Sequence, residues 1–168
     1  MVQRTGLPCA VMFIDVCGAA ELVETLGNAG AQAAVASLVS TLSDTAARHA
    51  GRTVKTIGSQ IMCVFPTARN AATAAAEAQR VAGTAIRKRA NSLAVRIGFQ
   101  YGPVIHQDED VFGDAVNVAA RVLSHAKPGQ ILPRVRSLAS YHRKLASRFA
   151  GSGTATSRAK PNHSTCWS

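Results

Sequence analysis

The stretch from Thr53 to Phe65 limits the fold most. Two short apolar runs, Thr53–Ile57 and Ile61–Phe65, flank Gly58-Ser59-Gln60, a pattern that predicts a β-hairpin with glycine at its turn. Val54, Ile61, Met62, Val64 and Phe65 predict that both arms are buried, leaving the tip to face solvent or a cleft. Lys55 is a cation on an otherwise apolar arm. It is either a snorkelling surface lysine or a group placed for recognition, and on this stretch alone the two readings weigh equally.

Upstream, Cys9–Val16 is a continuous apolar run ending in an acid, the pattern of a central strand whose C-terminal end opens onto a site. Gly18-Ala19-Ala20 permits close backbone approach where a helix begins. Glu21, Glu24 and the Leu22/Leu26 pair fit a short first helix ending at Gly27. A longer helix is predicted over 30–50, with Val35, Leu38, Val39 and Leu42 on one face and Gly51 as its stop. After the hairpin, Pro66 ends the second arm and the alanine-rich stretch 67–89 predicts a helix. Leu93–Tyr101 alternates like a half-buried strand and continues through Gly102-Pro103 to Ile105. An acidic loop at 107–110 follows. Asp114 is placed to cap a helix over 115–126, Pro128-Gly129 stop it, and Gln130–Leu132 form a short strand.

At 168 residues and 47% hydrophobic content, the chain can bury one sizeable core. No run approaches the roughly 18 apolar residues of a membrane span, and the N-terminal apolar stretch, broken by Asp15, lacks a cleavage pattern. The cysteines at 9, 17, 63 and 166 show no metal-finger spacing and read as thiols of a cytoplasmic protein. His106, His125, His142 and His163 are likewise scattered without metal-like spacing. The net charge of +10 is uneven: all nine acids lie at or before Asp114, whereas 115–168 holds nine Lys/Arg. Such a basic half suits a polyanion, and equally a solvated face opposite an acidic partner.

The order strand, helix, strand, strand, helix, strand predicts an α+β fold with a ferredoxin-like βαββαβ core, an antiparallel sheet with helices packed on one face. In that topology the first strand pairs with the second hairpin arm, and Asp15 lies beside the tip at Ser59. A C-terminal extension follows the core. The domain is expected over 1–150, and the Ser/Thr/Gly-rich segment 151–168 as a flexible basic tail.

On FIDVCG (13–18), VKTIGSQIMCVF (54–65), RIGFQYGPV (96–104), DVFGDAVNVAARV (110–122) and KPGQIL (127–132), the sequence resembles the catalytic domain of the class III adenylyl/guanylyl cyclases. The set carries the resemblance, in order and at family-like spacing over 9–132. Beyond Leu132 it is weak, with SRFAGSGT (147–154) and STCW (164–167) standing where a closing segment would be. The resemblance implies a head-to-tail dimer with sites across the interface. It implies ATP as substrate, Mg²⁺ or Mn²⁺ in a two-metal site, and 3′,5′-cyclic AMP and pyrophosphate as products in intracellular signalling. By position, Asp15 matches the first metal carboxylate, with the Val16 carbonyl as a further ligand. The backbone of Val16, Cys17, Gly18, Ala19 and Ala20 matches the phosphate cradle, with Arg96 on the phosphate side. Lys55 and Asp110 match the base-reading pair in its adenine form. Asn117 and Arg121, four apart on one helix face, match the pair that orients ribose and stabilises charge on the α-phosphate.

Plain alternatives stand beside each match: a solvated strand-end acid, a loop acid beside Asp108 and Glu109, a helical polar pair, a structural arginine. One position departs from the pattern. Ser59, followed by Gln60, occupies the place of the second metal carboxylate, and a neutral hydroxyl is a poor ligand for a hard divalent cation. Three functional readings follow: a cyclase of low activity, a complementary half for a heterodimer with a cyclase domain bearing both carboxylates, or a cyclase-like nucleotide- or protein-binding module. A nucleic-acid-binding module is disfavoured, because only 5% of residues are aromatic and no strand carries stacking aromatics.

Overall fold

The computed structural model describes residues 7–89 and 93–134. The tail expected at 151–168, the weak family likeness at 147–154 and 164–167, His142, His163 and Cys166 lie outside the described residues. The elements run β1 (Leu7–Cys17), α1 (Ala19–Arg48), β2 (Arg52–Ile57), β3 (Gln60–Phe65), α2 (Ala68–Arg89), β4 (Ala94–Gln107), β5 (Asp110–Phe112), α3 (Asp114–His125) and β6 (Ile131–Arg134). The strands are ordered β2-β3-β1-β4-β5, with β6 pairing parallel to β4.

The apolar run of β1 becomes the middle of the sheet, antiparallel to β3 on one side and β4 on the other. Cys9–Ile14 are all buried because both faces of the strand are covered. Ala10, Met12, Ile14 and Val16 face the layer of α1 and α2, while Cys9, Val11 and Phe13 face α3. The two helices of the βαββαβ core thus share one face, as expected, and α3, which follows the core, closes the other. Its Ala115, Ala119 and Leu123 are buried at four-residue spacing. Gly98 of β4 makes this close packing possible: a Cβ there would stand 2.4 Å from the Leu123 nitrogen. On the opposite face, Ala71, Ala74, Ala75, Ala78 and Ala82 give α2 a flat buried stripe.

The two expected helices at the N-terminal end form one element with a kink at Gly27, whose φ of 70° and ψ of 173° are not helical. Leu38 and Leu42 are buried and Val35 and Val39 partly so, as the periodicity predicts. The Leu22/Leu26 pair splits, Leu22 buried and Leu26 exposed, because the kink turns the next segment away. The helix stop is corrected by one residue. Ala50 takes the left-handed conformation (φ 60°), and glycine at 51 serves close packing, since a Cβ would stand 2.4 Å from the Phe65 ring. Asp114 does not cap α3: Gly113 is the N-cap, without a side-chain bond, and Asp114 is the first helical residue. Its exposed carboxylate still favours the positive helix end.

Both hairpin arms were expected to be buried. Only β3 is, with Ile61–Phe65 buried throughout, whereas β2 is an edge strand and Ile57 is 61% exposed. A second difference lies at 107–112. The expected loop is a hairpin: β4 runs through Gln107, Asp108-Glu109 turn, and β5 returns with Gln107 opposite Asp110. Three residues are too few for a periodic signal. The thiol reading stands for the described cysteines, all free, with burial pushing Cys63 up to about 11. His106 and His125 are exposed. Among the described residues no helix is long and apolar enough to cross a membrane.

Candidate active site

Strand pairing builds the first cluster. Asp15, at the C-terminal end of β1, lies opposite Gln60 on one side and Arg96 on the other. Cross-strand partners share a face, so Arg96 reaches the carboxylate directly. Its Nε and Nη2 donate to Asp15 Oδ2 at 2.9 and 2.7 Å. Ser59 Oγ donates to Oδ1 at 3.1 Å, and the Ser59 carbonyl accepts from the Val16 N–H at 3.2 Å. Asp15 therefore lies beside the hairpin tip, as the topology requires. The hydrogen bond to Asp15 is the main reason the Arg96 pKa is raised. Cys17 Sγ approaches the same carboxylate, and its pKa is raised by burial first and by the Asp15 charge second, against the pull of Arg96. Gly18 (φ 89°) turns the chain into α1, placing the backbone of 16–20 at a helix start.

A bulge builds the second cluster. Thr53 is opposite Cys63, on the α1/α2 face, but Lys55 is opposite Met62, on the α3 face, because one extra residue on β2 interrupts the register at Val54. In a regular strand Thr53 and Lys55 would share a face. The bulge turns Lys55 to the side where the β4–β5 hairpin lies. There Lys55 Nζ meets Asp110 Oδ2 at 2.6 Å, while Asp110 Oδ1 accepts from the Val111 N–H at 2.8 Å. The lysine hydrogen bond, and next the backbone one, hold the Asp110 carboxyl below the usual aspartate range. A cleft of about 300 Å³ opens around this pair, walled by Val54 and Phe112 and rimmed by Gln107 and Glu109.

These two strands stand at opposite ends of the strand order. In a flat sheet four strand gaps would separate them by about 19 Å. The distal arm of β4 instead folds over the α3 face, where Val104 and Val111 join Val11, Met62 and Val64. That apolar contact brings Asp110 to Lys55. Sequence reasoning missed Arg52, whose Nη1 donates to the Glu109 carbonyl at 3.2 Å. It also missed Phe112, Val54 and Gln107 as cleft residues, and the cluster of His49, Arg48 and Glu77 joining α1 to α2. Only the folded arm reveals the first four.

Asn117 and Arg121 are exposed on α3, and neither side chain forms a hydrogen bond or ion pair with another described residue. They join neither cluster within one chain. The two clusters are themselves distinct: they share no residue, and Lys55 and Ser59 are separated along the chain by the end of β2 and the turn at Gly58.

Residues 2–144 match the family model of the adenylate and guanylate cyclase catalytic domain. The chain belongs to this family. An uncharacterized protein of Mycobacterium tuberculosis is 34% identical over 127 residues, 76% of this chain and 32% of the relative. A Streptomyces griseus protein named adenylate cyclase is 33% identical over 122 residues, 73% of this chain and 30% of that one. The chain thus spans about a third of the length of these relatives. Among solved structures, the adenylyl cyclase CyaB from P. aeruginosa has a TM-score of 0.67 at 21% identity, covering 83% of this chain and 81% of its own. An adenylate/guanylate cyclase/hydrolase from Silicibacter pomeroyi gives 0.63 at 29% identity, covering 84% and 80%. A non-canonical dimeric guanylyl cyclase domain from Blastocladiella emersonii gives 0.68 at 22%, covering 85% and 86%. Cyclases named for either base share this fold, so the fold does not choose the base.

The residues of this cyclase domain do not fit a two-metal centre. Among the described residues no group of three or more His, Cys, Asp or Glu side chains is placed to hold a metal ion. All nine acids of the chain are among those residues, so no further carboxylate is available from the rest of it. Asp15 is the one carboxylate at the hairpin tip, and Arg96 already neutralises it.

Proposed function

We propose that this chain is an adenylyl-type cyclase domain, recognising ATP through Lys55 and Asp110 and forming cyclic AMP and pyrophosphate in a head-to-tail pair. Turnover is low in a homodimer and full beside a second cyclase domain that brings both metal carboxylates. The observation that carries this reading is the Lys55–Asp110 contact of 2.6 Å in a cleft with apolar walls. An ammonium can donate to a ring nitrogen and a carboxylate can accept from an exocyclic amine, which suits adenine. Val54 and Phe112 suit the flat faces of a purine. Asp108, Glu109 and Asp110 crowd the cleft, so a triphosphate is repelled there and a neutral ring is not. The relative named adenylate cyclase supports the same choice of base.

The phosphates belong elsewhere. The backbone of Val16, Cys17, Gly18, Ala19 and Ala20 and the Arg96 guanidinium supply donors for them. Asn117 and Arg121, exposed and without a side-chain partner among the described residues, are available to ribose and α-phosphate held by a partner subunit. Ser59 in place of a carboxylate, and Arg96 on Asp15, support the loss of this chain's own metal half.

Cyclic AMP production from ATP with Mn²⁺ tests the reading in three forms: the chain alone, Ser59→Asp, and the chain mixed with a cyclase domain that keeps both metal carboxylates but lacks its base-reading lysine. Little product is expected from the first, at least about tenfold more from the second, and stimulation in the third. No product in any of them overturns turnover and leaves a nucleotide-binding module.

A further inference from the structure

We infer that Arg52 is a positioning residue for base recognition, acting as the tether that keeps Asp110 in place when Lys55 releases it. The inference rests on the adenine reading above and adds a residue that the reading does not use.

The geometry starts from the bulge at Val54. Arg52 lies opposite Val64 and Lys55 opposite Met62, and both partners belong to the layer under α3. Residues three apart on a regular strand point to opposite faces; here the extra residue puts both cations on one face. Each reaches the same hairpin. Arg52 Nη1 bonds the Glu109 carbonyl at 3.2 Å, and Lys55 Nζ bonds Asp110 Oδ2 at 2.6 Å. Two consecutive residues of the β4–β5 turn are thus pinned to β2 from two points.

The turn needs pinning. Asp108 is held at φ 54°, a conformation that L residues adopt at some cost, and among the described residues the arm beyond Val104 pairs with β5 alone. Three acids in succession also repel one another there. When a base enters, the Lys55 ammonium must turn from Asp110 to the ring, and the ion pair no longer fastens the hairpin. The bond from Arg52 goes to backbone, outside the pair that reads the base, so it persists through that exchange. Asp110 then stays where its carboxylate can accept from an exocyclic amine.

Nucleotide preference tests this. Affinities of fluorescent ATP and GTP analogues would be measured on the full chain carrying Arg52→Ala, Arg52→Lys or Asp110→Ala, with thermal melting as the folding control. Arg52→Ala is expected to lower the ATP-over-GTP preference about fivefold, a single exposed charge-assisted hydrogen bond's worth, with an unchanged melt. Arg52→Lys, which keeps a donor, should recover most of it. An unchanged preference in Arg52→Ala, or an equal loss for both nucleotides, overturns the tether while Asp110→Ala still lowers the preference about tenfold and the adenine reading stands. If wild type shows no preference, or Asp110→Ala leaves it intact, the adenine reading fails and the tether with it.

Discussion

The Asp15–Arg96 and Lys55–Asp110 pairs look alike as chemistry and differ as construction. Asp15 and Arg96 are register partners on adjacent strands, so the pair is made as soon as β1 and β4 zip together. The carboxylate is 14% exposed and is held by Arg96, Ser59 and Cys17 at once. Lys55 and Asp110 come from the two ends of the strand order and are 41% and 33% exposed. Their contact depends on a bulge in one strand and a folded-over arm in another. The first pair is part of the sheet; the second is a latch laid across it. A group that must exchange partners with a ligand belongs in the second kind of setting, where parting it breaks no ladder.

Substitutions separate the two. Ser59→Asp puts two carboxylates beside one guanidinium, which attracts a cation and competes with Arg96. Mn²⁺ binding, read by electron paramagnetic resonance, should tighten at least about tenfold with the ATP-over-GTP preference untouched. A shift in base preference would show that the clusters are coupled. Asp110→Ala should lower that preference about tenfold yet leave the urea midpoint unchanged, since the pair is exposed and lightly built. Arg96→Ala should do the reverse, costing about 1 kcal/mol of stability because the largely buried Asp15 carboxylate loses the guanidinium that donates twice to its Oδ2. Equal stability losses from both would abolish the distinction drawn here.

The smallest effect is in pH. Asp110 has a folded-state pKa depressed below its unfolded value, so the latch contributes above the unfolded pKa and is lost as pH falls through the folded one. Base preference should therefore stay flat from pH 7 to about 5 and decline only below about 4. The Glu77 cluster follows the same sign, its carboxyl lowered first by the His49 hydrogen bond and then by Arg48. A decline of preference already near pH 6 would implicate another group.

Much of the framework was legible because it follows from local rules. A continuous apolar run gave a central strand, glycine between two apolar arms a hairpin, and alanine without β-branching a helix; the motif set supplied the family. Asp15 beside Ser59 followed from topology alone, since β1 must pair with β3 in this fold. The misreadings were at boundaries where packing overrides propensity, as at Ala50-Gly51 and Asp114, and along β2, whose apolar residues do not reveal that it is an edge.

Sequence by itself determined which chemical groups the domain possesses: a lysine and an acid for a base, one strand-end carboxylate, and a serine where a second would stand. Tertiary structure alone decided which of them meet. A one-residue bulge reverses every side chain after it, and burial of Val104 and Val111 folds an arm toward β2, with which it forms no backbone ladder among the described residues. Neither leaves a periodic trace, because both depend on contacts between residues far apart in the chain.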